Sequence, residues 1–263
     1  MTPELLVALE TLAADVQPLM LAGALVFLRL GAMAALLPAF GEMVLPLRVR
    51  LAVALAFTLV VTPAVLPTLP AAPEAPLPLV RFVGAEAVTG LAMGIGLRLF
   101  VMALQTAGTI AAQATSLAQF FGGANADPQP AIAQVLVMAG LALALLAGLH
   151  VRLAEFMILS YALIPPGSFA QPGMLAAWGV AQVAHSFSLA FRLAVPFLAL
   201  SLIYNVALGA INKAMPQLMV AFVGAPAITL GGLVMLLLAV PVLLPVWLDA
   251  FHAFLADPTA PRP

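Results

Sequence analysis

The chain has 263 residues, 65% of them hydrophobic and 7% charged, with a net charge of −1, and its mean hydropathy is +1.19. A soluble domain carries about 25% charged residues, so this composition excludes a hydrated globular surface and places the chain in lipid. The charge balance points to neither nucleic acid nor an anionic membrane surface, and the lack of cysteine excludes disulfides, thiolate metal sites and thiol nucleophiles.

Glu4, Glu10 and Asp15 precede the first apolar run, where a secretory signal would be basic, so the leader is not expected to be a cleavable signal peptide. Residues 16–37 are long enough to span a core of about 30 Å at about 1.5 Å per residue. Arg29 within this run costs about 3 kcal/mol, and about a dozen Leu, Val, Phe and Met residues at ~0.3–0.6 kcal/mol each still favour insertion. Pro38, Gly41, Glu42 and Pro46 form a turn, after which Arg48 and Arg50 open a second run over 51–65. Pro63, Pro67, Pro70, Pro73, Pro76 and Pro78 then predict a stiff extended linker. The third run, 80–104, contains Gly90 and Gly94, a spacing that lets helix backbones approach closely.

Residues 105–130 differ in kind, being polar, glycine-bearing and nearly uncharged. Gln105, Thr109, Gln113 and Ser116 recur at spacings of four, four and three, which puts them on one side of a helix. Phe120, Phe121, Gly122 and Gly123 follow, then Asn125, Asp127, Pro128 and Pro130, a helix stop and a loop. Two readings stand. One is a tilted surface helix packing its amides against a neighbour; the other is the wall and stopper of a conduit.

Residues 132–164 are too long for one simple span, and His150, Arg152 and Glu155 fall partway along. They predict a helix to about 149, a polar node, and a continuation to Pro165-Pro166-Gly167. A fifth run, 174–203, holds Arg192 and Pro196; residues 205–226 are amphiphilic; a last span, 227–248, is interrupted by Pro241 and Pro245. The expected fold is an all-α integral membrane protein in a single membrane domain, with about six hydrophobic helices and two irregular segments. Arg48, Arg50, Arg98 and Lys213 lie near alternate connections, which by the positive-inside rule puts both termini outside the cytoplasm.

Enzyme motifs are absent: the chain has no GxSxG, HExxH or P-loop pattern. Asp15, Asp127, Asp249 and Asp257 stand alone near run ends, and His150, His185 and His252 have no ligand-like spacing. No catalysis, metal or cofactor is expected. The intramembrane charges Arg29, Glu86, Arg98, Arg152, Glu155 and Arg192 are candidates for internal ion pairs or subunit contacts. Arg152 and Glu155, three apart on one helix face, are placed to neutralise each other. Glu86, a turn or so into its run, is expected to reach the interface.

Several segments resemble the FliR family of flagellar export-gate proteins and its injectisome counterpart, the T subunit of type III secretion. Pro46-Leu47-Arg48-Val49-Arg50-Leu51 looks like the family's basic stretch opening the second helix. Thr106-Ala107-Gly108-Thr109-Ile110 looks like its "aGeii" segment, with Thr109 where Glu is usual. Asn205-Val206-Ala207-Leu208-Gly209, Asn212-Lys213 and Met215-Pro216-Gln217-Leu218, followed by Phe222-Val223-Gly224-Ala225-Pro226, resemble its "NlaLGll.r..PQl..f..G.P" signature. That match is the most specific, because an Asn, a basic residue, PQL and G-x-P share one ordered spacing.

The resemblance implies a first part, 1–166, similar to the partner FliP, and a second, 167–263, similar to the hairpin partner FliQ. It implies one copy of this chain with several of each partner in a helical, funnel-like assembly of the bacterial inner membrane, at the flagellar basal body. FlhB- and FlhA-like export proteins would be further partners, and unfolded export substrates the cargo. The family places a plug loop after the polar helix, which makes Leu117, Phe120 and Phe121 the expected plug and Gly122 and Gly123 its hinge. Here Phe-Gly-Gly replaces the commoner acidic or Asp-Pro continuation, which is delayed to Asp127-Pro128. Arg48, Arg50, Asn205, Gly209, Lys213, Pro216, Gln217, Gly224 and Pro226 would be signature or subunit-contact residues. Two alternatives remain: an injectisome T subunit, or a small-solute secondary transporter with broken helices around a midplane site. The transporter would require two related halves, and the halves here look dissimilar.

Overall fold

The computed structural model describes residues 3–42, 45–70, 75–115, 131–215 and 220–260, with side chains described from 16 at the N-terminal end and from 227 in the last helix. Among the described residues, seven α-helices follow one another: α1 (Pro3–Ala34), α2 (Leu47–Val65), α3 (Pro76–Thr115), α4 (Ala131–Leu146), α5 (Leu149–Leu163), α6 (Pro172–Ala214) and α7 (Val220–Ala256). No strand occurs among the described residues. Among the described residues, five helices are long and apolar enough to cross a membrane, and α4 with α5 supplies a sixth span if the pair counts as one. The protein is an all-α membrane protein.

Two compact units interleave along the chain: residues 1–98 with 149–180, and residues 99–148 with 181–263. These units describe packing, whereas the expected division at 166/167 concerns likeness to two other proteins.

In the first unit, α1 buries Ala22, Leu25, Val26, Arg29, Leu30 and Met33, a stripe at helical spacing. Gly90 and Gly94 of α3 meet this helix. A Cβ on Gly90 would lie 2.2 Å from the Arg29 carbonyl oxygen, and one on Gly94 would lie 3.1 Å from that of Met33. The partner of the small-xxx-small segment is therefore α1. In α2 the buried seam is Ala54, Thr58, Val61, Thr62 and Val65. Thr58 Oγ1 donates to the Ala54 carbonyl at 2.8 Å and Thr62 Oγ1 to that of Thr58 at 2.6 Å. Each hydroxyl is thus satisfied by its own helix and can sit in an apolar seam.

The turn after α1 is tight. Gly41 N–H donates to the Leu37 carbonyl at 2.7 Å, and Ala39 adopts φ 65°, a left-handed conformation that an L side chain disfavours. Phe40 packs edge-on against Phe57 at 6.1 Å.

The proline-rich stretch is less extended than expected. Pro63 lies inside α2, Pro67 in a 3₁₀ turn over Leu66–Thr68, and Pro76 and Pro78 open α3. A proline in the first helical turn lacks an N–H that would have no partner there anyway, so these residues start a helix rather than stiffen a linker. Leu69 is extended; Pro73 lies outside the described residues.

Chain 131–163 breaks as expected into two helices. Gly148, at φ 82°, takes the left-handed conformation that closes α4. The amphiphilic segment is shorter than expected, because α6 runs on to Ala214 and α7 starts at Val220. Pro196, Pro241 and Pro245 all lie within helices, as proline does in membrane spans where neighbours cover the freed carbonyl. At 40, 43 and 37 residues, α3, α6 and α7 are each far longer than the roughly 20 residues a bilayer core requires.

Candidate functional site

The second half of α3 has two unlike sides. One buries Ala103, Leu104, Ala107, Ala111 and Thr115. Its backbone lies hard against α4: a Cβ on Gly108 would be 2.3 Å from the Cα of Ala133. Thr115 fills the space beside Gly232 of α7, where a Cβ would meet it at 2.7 Å, and its hydroxyl donates to the Ala111 carbonyl at 2.9 Å. Phe197 of α6 is completely buried beside Ala111 and Ala239, under Met235 and Leu236.

The other side carries the polar stripe. Gln105 and Gln113 are exposed and Thr109 is half-buried, so the three share the side turned away from the packed face. Thr109 Oγ1 donates to the Gln105 carbonyl at 2.8 Å. Helical spacing is the cause: residues four apart stack one turn above another. Ser116, Leu117, Phe120, Phe121, Gly122 and Gly123 lie outside the described residues.

The intramembrane charges divide. Arg29 and Glu86, in the first unit, form one node. Arg29 Nε and Nη2 donate to the two Glu86 carboxylate oxygens at 2.8 and 3.0 Å, a two-pronged geometry that fits guanidinium to carboxylate. Arg29 Nη1 donates to the Ser160 carbonyl at 2.9 Å, and the Gly167 N–H donates to Glu86 Oε1 at 2.8 Å. The Ser160 hydroxyl donates to the Met157 carbonyl at 2.6 Å. The guanidinium also lies 4.0 Å from the centre of the Tyr161 ring, a cation–π contact. Arg29 is 0% and Glu86 1% exposed. Glu86 therefore does not reach the interface as expected: α3 begins a turn earlier than the apolar run, and the Pro165-Pro166-Gly167 turn folds over the carboxylate.

Arg98 pairs with Glu42 of the α1–α2 turn, an acid that sequence reasoning had placed only in a loop. Arg152 and Glu155 do not pair with each other. Both are exposed on α5, no ion pair joins them, and an exposed i, i+3 pair gains too little to fix two long side chains. Arg192 is exposed on α6 and is likewise in no ion pair among the described residues.

Of the signature residues, Arg48 is exposed and Arg50 half-buried at the start of α2, and Asn205, Gly209 and Lys213 are exposed on the last turns of α6. Asn205 Nδ2 donates to the Ser201 carbonyl at 2.8 Å, and a Cβ on Gly209 would meet nothing within 4 Å. Gly224 and Pro226 belong to α7 with side chains not described; Pro216 and Gln217 lie outside the described residues.

Trp247 was missed. It is fully buried, and its Nε1 donates to the Phe100 carbonyl at 2.9 Å. The signal was present, since an indole in an aliphatic run has to find an acceptor. Among the described residues no group of His, Asp or Glu is placed to hold a metal.

Residues 20–254 match the model of the bacterial export proteins, family 1. The flagellar biosynthetic protein FliR of Caulobacter vibrioides is 35% identical over 234 residues, 88% of this chain and 93% of that protein. The flagellar biosynthetic protein FliR of Escherichia coli K12 is 28% identical over 227 residues, 83% of this chain and 84% of that protein. With a helical membrane fold and a match of this length, the chain belongs to the FliR family of bacterial export proteins.

Proposed function

We propose that this chain is a core subunit of the flagellar type III export gate, forming with FliP-like and FliQ-like subunits the channel by which unfolded flagellar proteins cross the bacterial inner membrane. The observation that carries this reading is the 35% identity to a flagellar biosynthetic protein across 93% of that protein's length. Both relatives are flagellar, which favours the flagellum over the injectisome. The polar stripe supports a conduit wall: an unfolded chain needs a water-lined path, and Gln105, Thr109, Gln113 and Ser116 supply amides and hydroxyls along it. Leu117, Phe120 and Phe121 close the resting channel by steric fit and dewetting, and Gly122 and Gly123, lacking a Cβ, give the stopper its hinge.

The first part, to 166, resembles FliP and the remainder FliQ, so the chain joins both partners at the flagellar basal body; FlhB- and FlhA-like proteins complete the apparatus. Arg48, Arg50, Asn205, Gly209, Lys213, Pro216, Gln217, Gly224 and Pro226 form subunit contacts. The exposure of Asn205, Gly209 and Lys213 supports that role, because amides and a cation on an apolar helix end are costly in lipid unless a neighbour covers them. The chain performs no chemistry of its own, and the driving force acts through other subunits. Deletion of the gene tests the reading: loss of filaments, restored by the intact gene, is expected, and normal flagellation of the deletion strain refutes it.

A further inference from the structure

Two side chains of the second unit donate to successive backbone carbonyls of α3. Ser186 Oγ, on α6, donates to the Leu99 carbonyl at 2.9 Å, and Trp247 Nε1, on α7, donates to the Phe100 carbonyl at 2.9 Å. Both carbonyls lie inside a continuous helix and already accept the N–H four residues on, so each side chain occupies the second lone pair. The helix closes without either donor. The aromatic packing here does not depend on the hydrogen bonds: the indole stacks on Phe251 at 5.3 Å, and Phe100 lies 5.2 Å from Phe251 and from Phe254.

What a hydrogen bond adds to such a cluster is direction, since it weakens steeply when its angle departs from linear. Successive helical residues point about 100° apart. Two donors from two helices, on two adjoining carbonyls, therefore set both the height and the rotation of α3 at this level. Gln105, the first member of the polar stripe, follows about a turn and a half later. The contact of Gly108 with Ala133 then leaves the helix no room to roll.

We infer that Ser186 and Trp247 are positioning residues for export: they fix the rotation of α3 so that Gln105, Thr109 and Gln113 face the path of the substrate. The inference rests on the conduit reading of that stripe. Neither residue touches cargo. Their contribution is the angle at which α3 presents its amides.

The chain has no cysteine, so introduced thiols report water access without background. In cells expressing the chain with its partner subunits, Gln105→Cys on the stripe and Ala103→Cys on the packed face are each labelled with a membrane-impermeant maleimide. Labelling is compared in the parent and with Ser186→Ala plus Trp247→Phe, which remove both donors and keep the aromatic bulk. The parent is expected to label faster at position 105 than at 103. In a double variant that still co-purifies with its partners, that ratio is expected to fall about five-fold or more, the equivalent of one lost buried hydrogen bond. Ser186→Thr, which retains the donor, is expected to keep the parental ratio. An unchanged ratio in the assembled double variant overturns the positioning role and leaves the conduit reading standing. The same fall with Ser186→Thr as with Ser186→Ala assigns the effect to packing and also overturns it. No labelling at 105 in the parent complex refutes the conduit reading itself. Should the double variant fail to assemble, Ser186→Ala alone carries the same comparison.

Discussion

Replacing Arg29 by Met should be one of the most damaging single changes in this chain. The substitution leaves the Glu86 carboxylate 1% exposed, stripped of two charge-assisted bonds and retaining only the Gly167 N–H. Breaking a buried pair by removing one partner costs about 3–5 kcal/mol. Removing both charges, as Arg29→Met with Glu86→Leu, takes away the uncompensated ion and substitutes apolar volume. Ser160 loses little, because its carbonyl still accepts the Ile164 N–H at 3.0 Å. The Gly167 N–H is then the one group orphaned, at about 1–3 kcal/mol. The double variant should therefore be about 2 kcal/mol more stable than Arg29→Met alone. Unfolding of the purified protein in mixed micelles by titrated SDS, followed by fluorescence of Trp178 and Trp247, reads both numbers. A double variant no more stable than the single one would show that Glu86 finds water once Arg29 is gone, and the account of a dry, closed node would fall.

The other expectations concern other parts of the chain. Gly108→Ala should lower stability by about 1–3 kcal/mol, because the new methyl meets backbone of Ala133 at 2.3 Å, whereas Gly209→Ala, with nothing within 4 Å, should leave the isolated chain no less stable in an SDS titration, with a gain of up to about 1 kcal/mol from the better helix former. Ala39→Gly should stabilise by up to about 1 kcal/mol in the same titration, the relief of a left-handed alanine exceeding the added freedom of the unfolded glycine. Phe120→Ala with Phe121→Ala should raise resting ion leak in an assembled complex, seen as membrane depolarisation on overexpression; no added leak would remove both rings from the stopper.

Much of the architecture was legible because hydropathy and helical spacing are local properties. The apolar runs, the break near Gly148 and the one-sidedness of Gln105, Thr109 and Gln113 all follow from neighbours in sequence. Misreadings arose where a partner lies far along the chain. Glu86 looked interfacial because its depth was counted from the start of the apolar run, and the turn that covers it is 81 residues away. Arg98 had no visible partner, since Glu42 is 56 residues distant. The reverse error befell Arg152 and Glu155, whose spacing fits a pair but whose exposure removes the incentive. Prolines misled for another reason: the residue that stiffens a linker also starts a helix, and composition does not separate the two. Trp247 and Ser186 donate to α3 carbonyls, groups common to every residue, so the sequence shows that the indole needs an acceptor but not which one.

The bare flank of α3 at Gly90 and Gly94 has a bearing on where charge can exist in this molecule. A guanidinium held in hydrocarbon has to meet its counterion without a water between them, which demands two helix axes nearer than ordinary side chains permit. Here the residue with no side chain stands one turn from Glu86 and directly against the backbone of Arg29. The least bulky position on the helix thus governs whether the most polar one is tolerable, and enlarging Gly90 would first be felt as an ion pair prised open.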